Sequence, residues 1–93
     1  MSYRVTFDDG VARDLENLPA KFQARVFTRA EVLTDNPKPG GSRGLTGRLL
    51  GYRRLRVGDY RVIYSVDEAT KEVTIWAVGP RRNVYDDFAR RGH

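Results

Sequence analysis

The chain has 93 residues, no cysteine, a single histidine and a formal net charge of +5. A chain of this size is expected to form one small domain over residues 1–93, burying roughly 60–65% of its unfolded surface. Without cysteine there is no disulfide framework or thiolate metal site, and with no signal-type leader and no apolar run near ~20 residues the expectation is a soluble cytoplasmic protein.

Tyr3-Arg4-Val5-Thr6-Phe7 alternates in polarity and reads as a first strand. Asp8 and Asp9 offer N-cap chemistry to a helix whose apolar positions are Val11, Leu15 and Leu18. Pro19 opens a second helix, with Phe22, Val26, Ala30 and Leu33 as its stripe and Asn36-Pro37 as its end. Both stripes suit helices laid on a sheet. Pro37 to Gly47 is rich in Gly and Pro; its glycines match no phosphate-loop pattern, and a flexible connection is expected.

Two strand-like runs follow, Tyr52 to Val57 and Tyr60 to Tyr64, separated by Gly58-Asp59. A two-residue Gly-X loop suits a type II′ turn, which fixes the register. Val57 then faces Tyr60, Arg56 faces Arg61, Leu55 faces Val62, Arg54 faces Ile63 and Arg53 faces Tyr64. One face is apolar; the other carries Arg54, Arg56 and Arg61. Like charges directly opposite one another destabilise a sheet, so Arg56 against Arg61 points to a bound anion such as phosphate.

A turn from Asp67 to Thr70 or Lys71 leads to a strand over Val73 to Val78, stopped by Gly79-Pro80. The shorter turn puts Val73, Ile75 and Ala77 in the core and Trp76 on the arginine face, and a turn one residue longer reverses this. Trp76 is thus read either as core or as a base-stacking platform. Asn83 to Ala89 suits a short helix with Asn83 as N-cap and Asp86 and Asp87 in its first turn. The order is β-α-α-β-β-β-α: an α+β fold whose small, mostly antiparallel sheet has two N-terminal helices on one face, the arginine face being left open.

Charge is concentrated in the second half, where residues 43–93 hold eleven Lys or Arg against six Asp or Glu. Fourteen of the seventeen basic residues are arginine, which binds phosphate bidentately and stacks on bases. Such a footprint fits nucleic acid, although a solvated basic surface has the same composition. His93 is the last residue, so no histidine acid/base pair is available. Arg81-Arg82-Asn83-Val84-Tyr85 follows the last strand and can reach the arginine face. Tyr85 there is either an acid/base group, since guanidinium groups favour a phenolate, or a ring that packs the last helix.

The order of elements, the run Leu55-Arg56-Val57-Gly58-Asp59-Tyr60-Arg61-Val62-Ile63-Tyr64 and the stretch Val78-Gly79-Pro80-Arg81-Arg82-Asn83-Val84-Tyr85 together resemble the RelE/ParE superfamily of toxin–antitoxin systems. The RelE branch implies an endonuclease that cuts mRNA in the ribosomal A site and needs no cofactor or metal. It is silenced by a RelB-like antitoxin that wraps it and displaces or blocks its C-terminal helix. The free chain is expected to be a monomer and to form a hetero-oligomer with its antitoxin. The resemblance places catalytic roles on Arg54, Arg56, Arg61, Arg81 and Tyr85. Arg48, Arg53 and Arg82 are further RNA-binding candidates. The family pattern has lysines where this chain has Arg54 and Arg56, which shifts proton removal onto Tyr85. The ParE branch implies instead a DNA gyrase inhibitor working by protein contact, and a third possibility is a basic module that binds RNA or the ribosome without chemistry.

Overall fold

The computed structural model describes residues 2–91. Its elements are β1 (Arg4–Phe7), α1 (Gly10–Glu16), α2 (Ala20–Asp35), β2 (Ser42–Gly44), β3 (Arg53–Val57), β4 (Tyr60–Asp67), β5 (Glu72–Pro80) and α3 (Val84–Arg90). The strands lie in the order β1-β5-β4-β3-β2. β1 runs parallel to β5 and every other pairing is antiparallel. This is the expected α+β fold, with one short strand added inside the connection after α2. None of the helices described is long and apolar enough to cross a membrane, and His93 lies outside the described residues.

The two N-terminal helices cover one sheet face as their stripes require. Val11, Leu18, Val26 and Leu33 pack with Leu55, Val57, Val62, Tyr64, Val73, Ile75 and Val78 in the main core. Asp8 begins α1 by accepting the Gly10 N–H on Oδ2 at 3.2 Å, whereas Asp9, at the cap position, makes no side-chain cap bond. Asn83 likewise occupies the cap position of α3 without capping it through its side chain.

Gly58 has φ +60°, and Asp59 does not share the positive φ, which is the backbone signature of the II′ turn. The β3–β4 register follows as expected, from Arg53↔Tyr64 to Val57↔Tyr60.

Three expectations are corrected. The arginine face is not left open: Leu49, from a 3-10 turn over Gly47–Leu49, joins Ile63, Ala77, Val84 and Phe88 in a second buried cluster, so α3 roofs part of this face. β5 contains a bulge where it pairs with β4. Tyr64 pairs with Ile75 but Ile63 with Ala77, leaving Trp76 as the extra residue. Val78 therefore joins Val73 and Ile75 in the main core, and Ala77 turns to the second cluster. Trp76 is half-buried beside that cluster, donating from Nε1 to Ser65 Oγ at 2.8 Å and meeting the Tyr52 ring edge-on.

The third correction concerns the connection after α2. Ser42 donates from its amide and its hydroxyl to Pro39 O at 3.1 and 2.7 Å, and β2 then pairs with β3. The buried Tyr64 hydroxyl donates to Pro37 O at 2.7 Å and accepts from Arg53 Nε at 3.2 Å. A buried phenol needs such partners, and meeting that need holds the connection against the sheet.

Candidate nucleic-acid interface

Strand pairing, more than chain proximity, assembles the basic surface. One row across the sheet is Arg56, Arg61 and Gly79, on β3, β4 and β5. The next row is Arg43, Arg54, Ile63 and Ala77. Directly paired residues share a face, so Arg43, Arg54, Arg56 and Arg61 all belong to the face that α3 partly covers.

Two like-charged pairs, Arg43 with Arg54 and Arg56 with Arg61, therefore sit side by side, and backbone carbonyls offset part of their repulsion. Arg54 Nη1 donates to Gly41 O at 3.2 Å. Arg61 Nη1 donates to Gly58 O and Tyr60 O, both at 2.9 Å. Arg61 is only 9% exposed, so it braces its own turn, whereas Arg56 stands in solvent.

Gly79 lets α3 approach this row. A Cβ placed on Gly79 would lie 3.4 Å from Val84 Cβ and Cγ2. Val84, the first residue of α3, thus sits directly on the strand position opposite Arg61. Tyr85 follows it, half-buried and packed against the second cluster. The Arg81 amide donates to Asp59 O at 3.1 Å, bringing the chain after β5 back to the hairpin turn. Asp59, Pro80, Arg81 and Arg82 line a cleft there, with both arginines exposed.

Of the residues singled out in the sequence, Arg54, Arg56 and Arg61 share the face, and Arg81, Arg82 and Tyr85 lie at its β5 end. Arg48 is exposed on the 3-10 turn that contributes Leu49 to the second cluster. Arg53 is not brought to this group. It pairs with Tyr64 on the face covered by α1 and α2, and its guanidinium is taken up by Tyr64 Oη and Ser42 Oγ. Two further residues carry only a weak signal in the sequence. Arg43 lies in a strand of three residues whose glycine-rich flanks conceal it. Asp14 is nearly buried in α1, and its signal was its place three residues after Val11 and four before Leu18, on the apolar stripe.

A mixed five-stranded sheet, with two helices on one face and arginine rows beside a short C-terminal helix on the other, defines the class: a small α+β protein with an arginine-lined sheet face. The family model described as "ParE toxin of type II toxin-antitoxin system, parDE" matches residues 5–85. The chain is 35% identical over 85 residues to Toxin RelE of Mycobacterium tuberculosis, spanning 89% of this chain and 86% of the relative. Its fold matches the toxin–antitoxin complex RelBE2 of the same organism with a TM-score of 0.78 at 32% identity, covering 87% of this chain and 100% of that one. It also matches the archaeal RelE–RelB complex of Pyrococcus horikoshii with a TM-score of 0.76 at 34% identity, covering 89% and 99%. The chain belongs to the RelE/ParE superfamily of toxins of type II toxin–antitoxin systems.

Proposed function

We propose that this toxin is a metal-independent endoribonuclease that cuts mRNA on the ribosome and is neutralised by a cognate antitoxin of the RelB kind. The observation that carries the reading is the row Arg56–Arg61–Gly79 with Val84 seated on Gly79. It supports a site in which guanidinium groups and the Tyr85 phenol flank one phosphate.

Guanidinium groups stay protonated and supply hydrogen bonds, not proton transfer. Tyr85 is therefore assigned the proton of the ribose 2′-OH. The 2′ oxygen attacks the adjacent phosphorus, a 2′-O–P bond forms and the P–O5′ bond breaks, leaving a 2′,3′-cyclic phosphate and a 5′-OH. Arg54, Arg56 and Arg61 stabilise the added charge on the phosphorane. Arg81 stabilises the leaving 5′ oxygen, which takes its proton from water. Arg82 and Arg48 contact the flanking RNA backbone.

A second reading, inhibition of DNA gyrase by protein contact, is favoured by one observation: Arg61 is largely buried and bonded to its own turn, as a purely structural arginine would be. In-vitro translation with mapping of mRNA 5′ ends, run beside a gyrase supercoiling assay, separates the two. Toxin-dependent 5′-OH ends within codons on ribosomes support the ribonuclease; intact mRNA with inhibited supercoiling overturns it.

A further inference from the structure

β1 accompanies β5 only as far as Ile75, after which the chain leaves for α1. From Trp76 onward no strand among the described residues lies along that side of β5. Its outward backbone groups are met by an ion pair. Asp14 Oδ2 accepts the Val78 N–H at 3.0 Å, while Asp14 Oδ1 accepts from Arg91 Nη2 at 2.6 Å. Arg91 Nη1 in turn donates to Trp76 O at 3.4 Å and lies over Gly10.

One carboxylate thus holds both ends of residues 78–91, the segment that carries Arg81, Arg82 and Tyr85. Asp14 is 9% exposed and Arg91 about a third exposed at its side chain, at 32%. Pairing in such a setting is screened far less than on the open surface. The segment needs holding, because α3 has seven residues and is too short to be stable alone. Val84 on Gly79 and Phe88 in the second cluster fix the start and middle of the helix, and Arg91 fixes its end.

We propose that Asp14 and Arg91 are positioning residues: their ion pair clamps segment 78–91 against the edge of β5 and so sets where Tyr85 and Arg81 stand over the arginine row. The assignment rests on the ribonuclease reading for its catalytic consequence. Its structural consequence, a clamped α3, is measurable independently.

The test uses Arg91→Ala, Arg91→Lys and Asp14→Asn in the full chain, with single-turnover cleavage on ribosomes and amide hydrogen exchange. Arg91→Ala and Asp14→Asn are expected to lower the cleavage step about 10- to 100-fold, as small misplacement of reacting groups does. KM should stay within about twofold, and Arg91→Lys should recover part of the loss. Exchange at Tyr85 to Arg90 should accelerate while Val62 and Tyr64 stay protected. Adding Tyr85→Phe to Arg91→Ala should cost less than Tyr85→Phe alone, because both act through one group. Should Asp14→Asn fail to fold, the arginine variants carry the test. Wild-type cleavage in Arg91→Ala overturns the positioning role, even if α3 exchange has accelerated. A wild-type protein that leaves mRNA intact overturns the ribonuclease reading alone. The clamp is then judged on exchange, and unchanged α3 exchange in the variants overturns it.

Discussion

Arg56 and Arg61 face each other across β3 and β4, and they meet the shared repulsion differently. Arg56 extends into solvent, whereas Arg61 turns Nη1 back onto the carbonyls of Gly58 and Tyr60. Cross-strand repulsion alone makes Arg61→Ala look neutral or stabilising. The two charge-assisted bonds reverse that sign, since each exceeds the usual cost of a like-charged pair.

Arg61→Ala is accordingly expected to lower stability by about 1–2 kcal/mol. Arg56→Ala should stay within about 0.5 kcal/mol of the parent. Denaturant melts of the two variants decide it. Equal midpoints would show that the turn carbonyls gain nothing from Arg61.

The hairpin turn gives a second prediction. Gly58 has φ +60°, and a Cβ there would come within 2.8 Å of Phe22 Cε1, in a ring that also packs on Tyr60 at 4.8 Å between centroids. Gly58→Ala should cost about 1–3 kcal/mol from strain and contact together. Asp59→Ala keeps the carbonyl that receives the Arg81 amide and should stay within about 0.5 kcal/mol. Thermal melts of both variants check the contrast.

These two positions also show why the hairpin was legible and other parts were not. A Gly-X loop between two alternating runs admits one register, and that register placed Arg54, Arg56 and Arg61 on one face. The bulge at Trp76 carries no comparable signal, because it arises where β5 passes from pairing beside β1 to supporting α3. Arg43 was hidden for a similar reason. Its strand exists because Pro37 and Ser42 satisfy Tyr64 and Arg53, partners far away in sequence. Asp14 was readable as a charge on an apolar stripe, but its partners, Val78 and Arg91, were not.

Removing α3 should affect the fold as well as any partner. Val84 and Phe88 are buried in the second cluster with Ile63 and Ala77, so deleting residues 83–93 uncovers a small apolar patch. The truncated chain should lose about 3–5 kcal/mol of stability and bind a cognate antitoxin more weakly, as read by calorimetric titration. Unchanged affinity in a folded truncation would exclude α3 from the antitoxin contact.

An acid-sensitive contact lies at the far end of the sheet. Tyr3 Oη donates to Glu68 Oε1 at 2.5 Å. That hydrogen bond, opposed by desolvation and helped by the charges of Lys71 and Lys38, holds the Glu68 carboxyl below its usual value. A depressed carboxyl stabilises the fold at pH above the ordinary glutamate range, and the contribution disappears as pH falls through the depressed value. The site is exposed, so salt screens it and the effect is small. Tyr3→Phe should flatten the acid limb of the stability–pH curve slightly; an identical limb would show that the contact has no energetic weight.

The decisive chemical prediction concerns Tyr85. Its ring packs against the second cluster beside Val84, which is seated on the strand position opposite Arg61. Tyr85→Phe keeps that packing and removes only the hydroxyl, so melting should be nearly unchanged and mRNA should still bind through the arginines. With arginine at positions 54, 56, 61 and 81, and with the single histidine at position 93, no other side chain proposed for the site can accept the 2′-OH proton. Loss of a positioned base should cost about 10²- to 10⁴-fold in the cleavage step. Single-turnover cleavage on ribosomes, with substrate binding measured separately, isolates that step from affinity. Cleavage by Tyr85→Phe at the wild-type rate would make the tyrosine a packing residue and transfer the proton to water, the RNA or a ribosomal group.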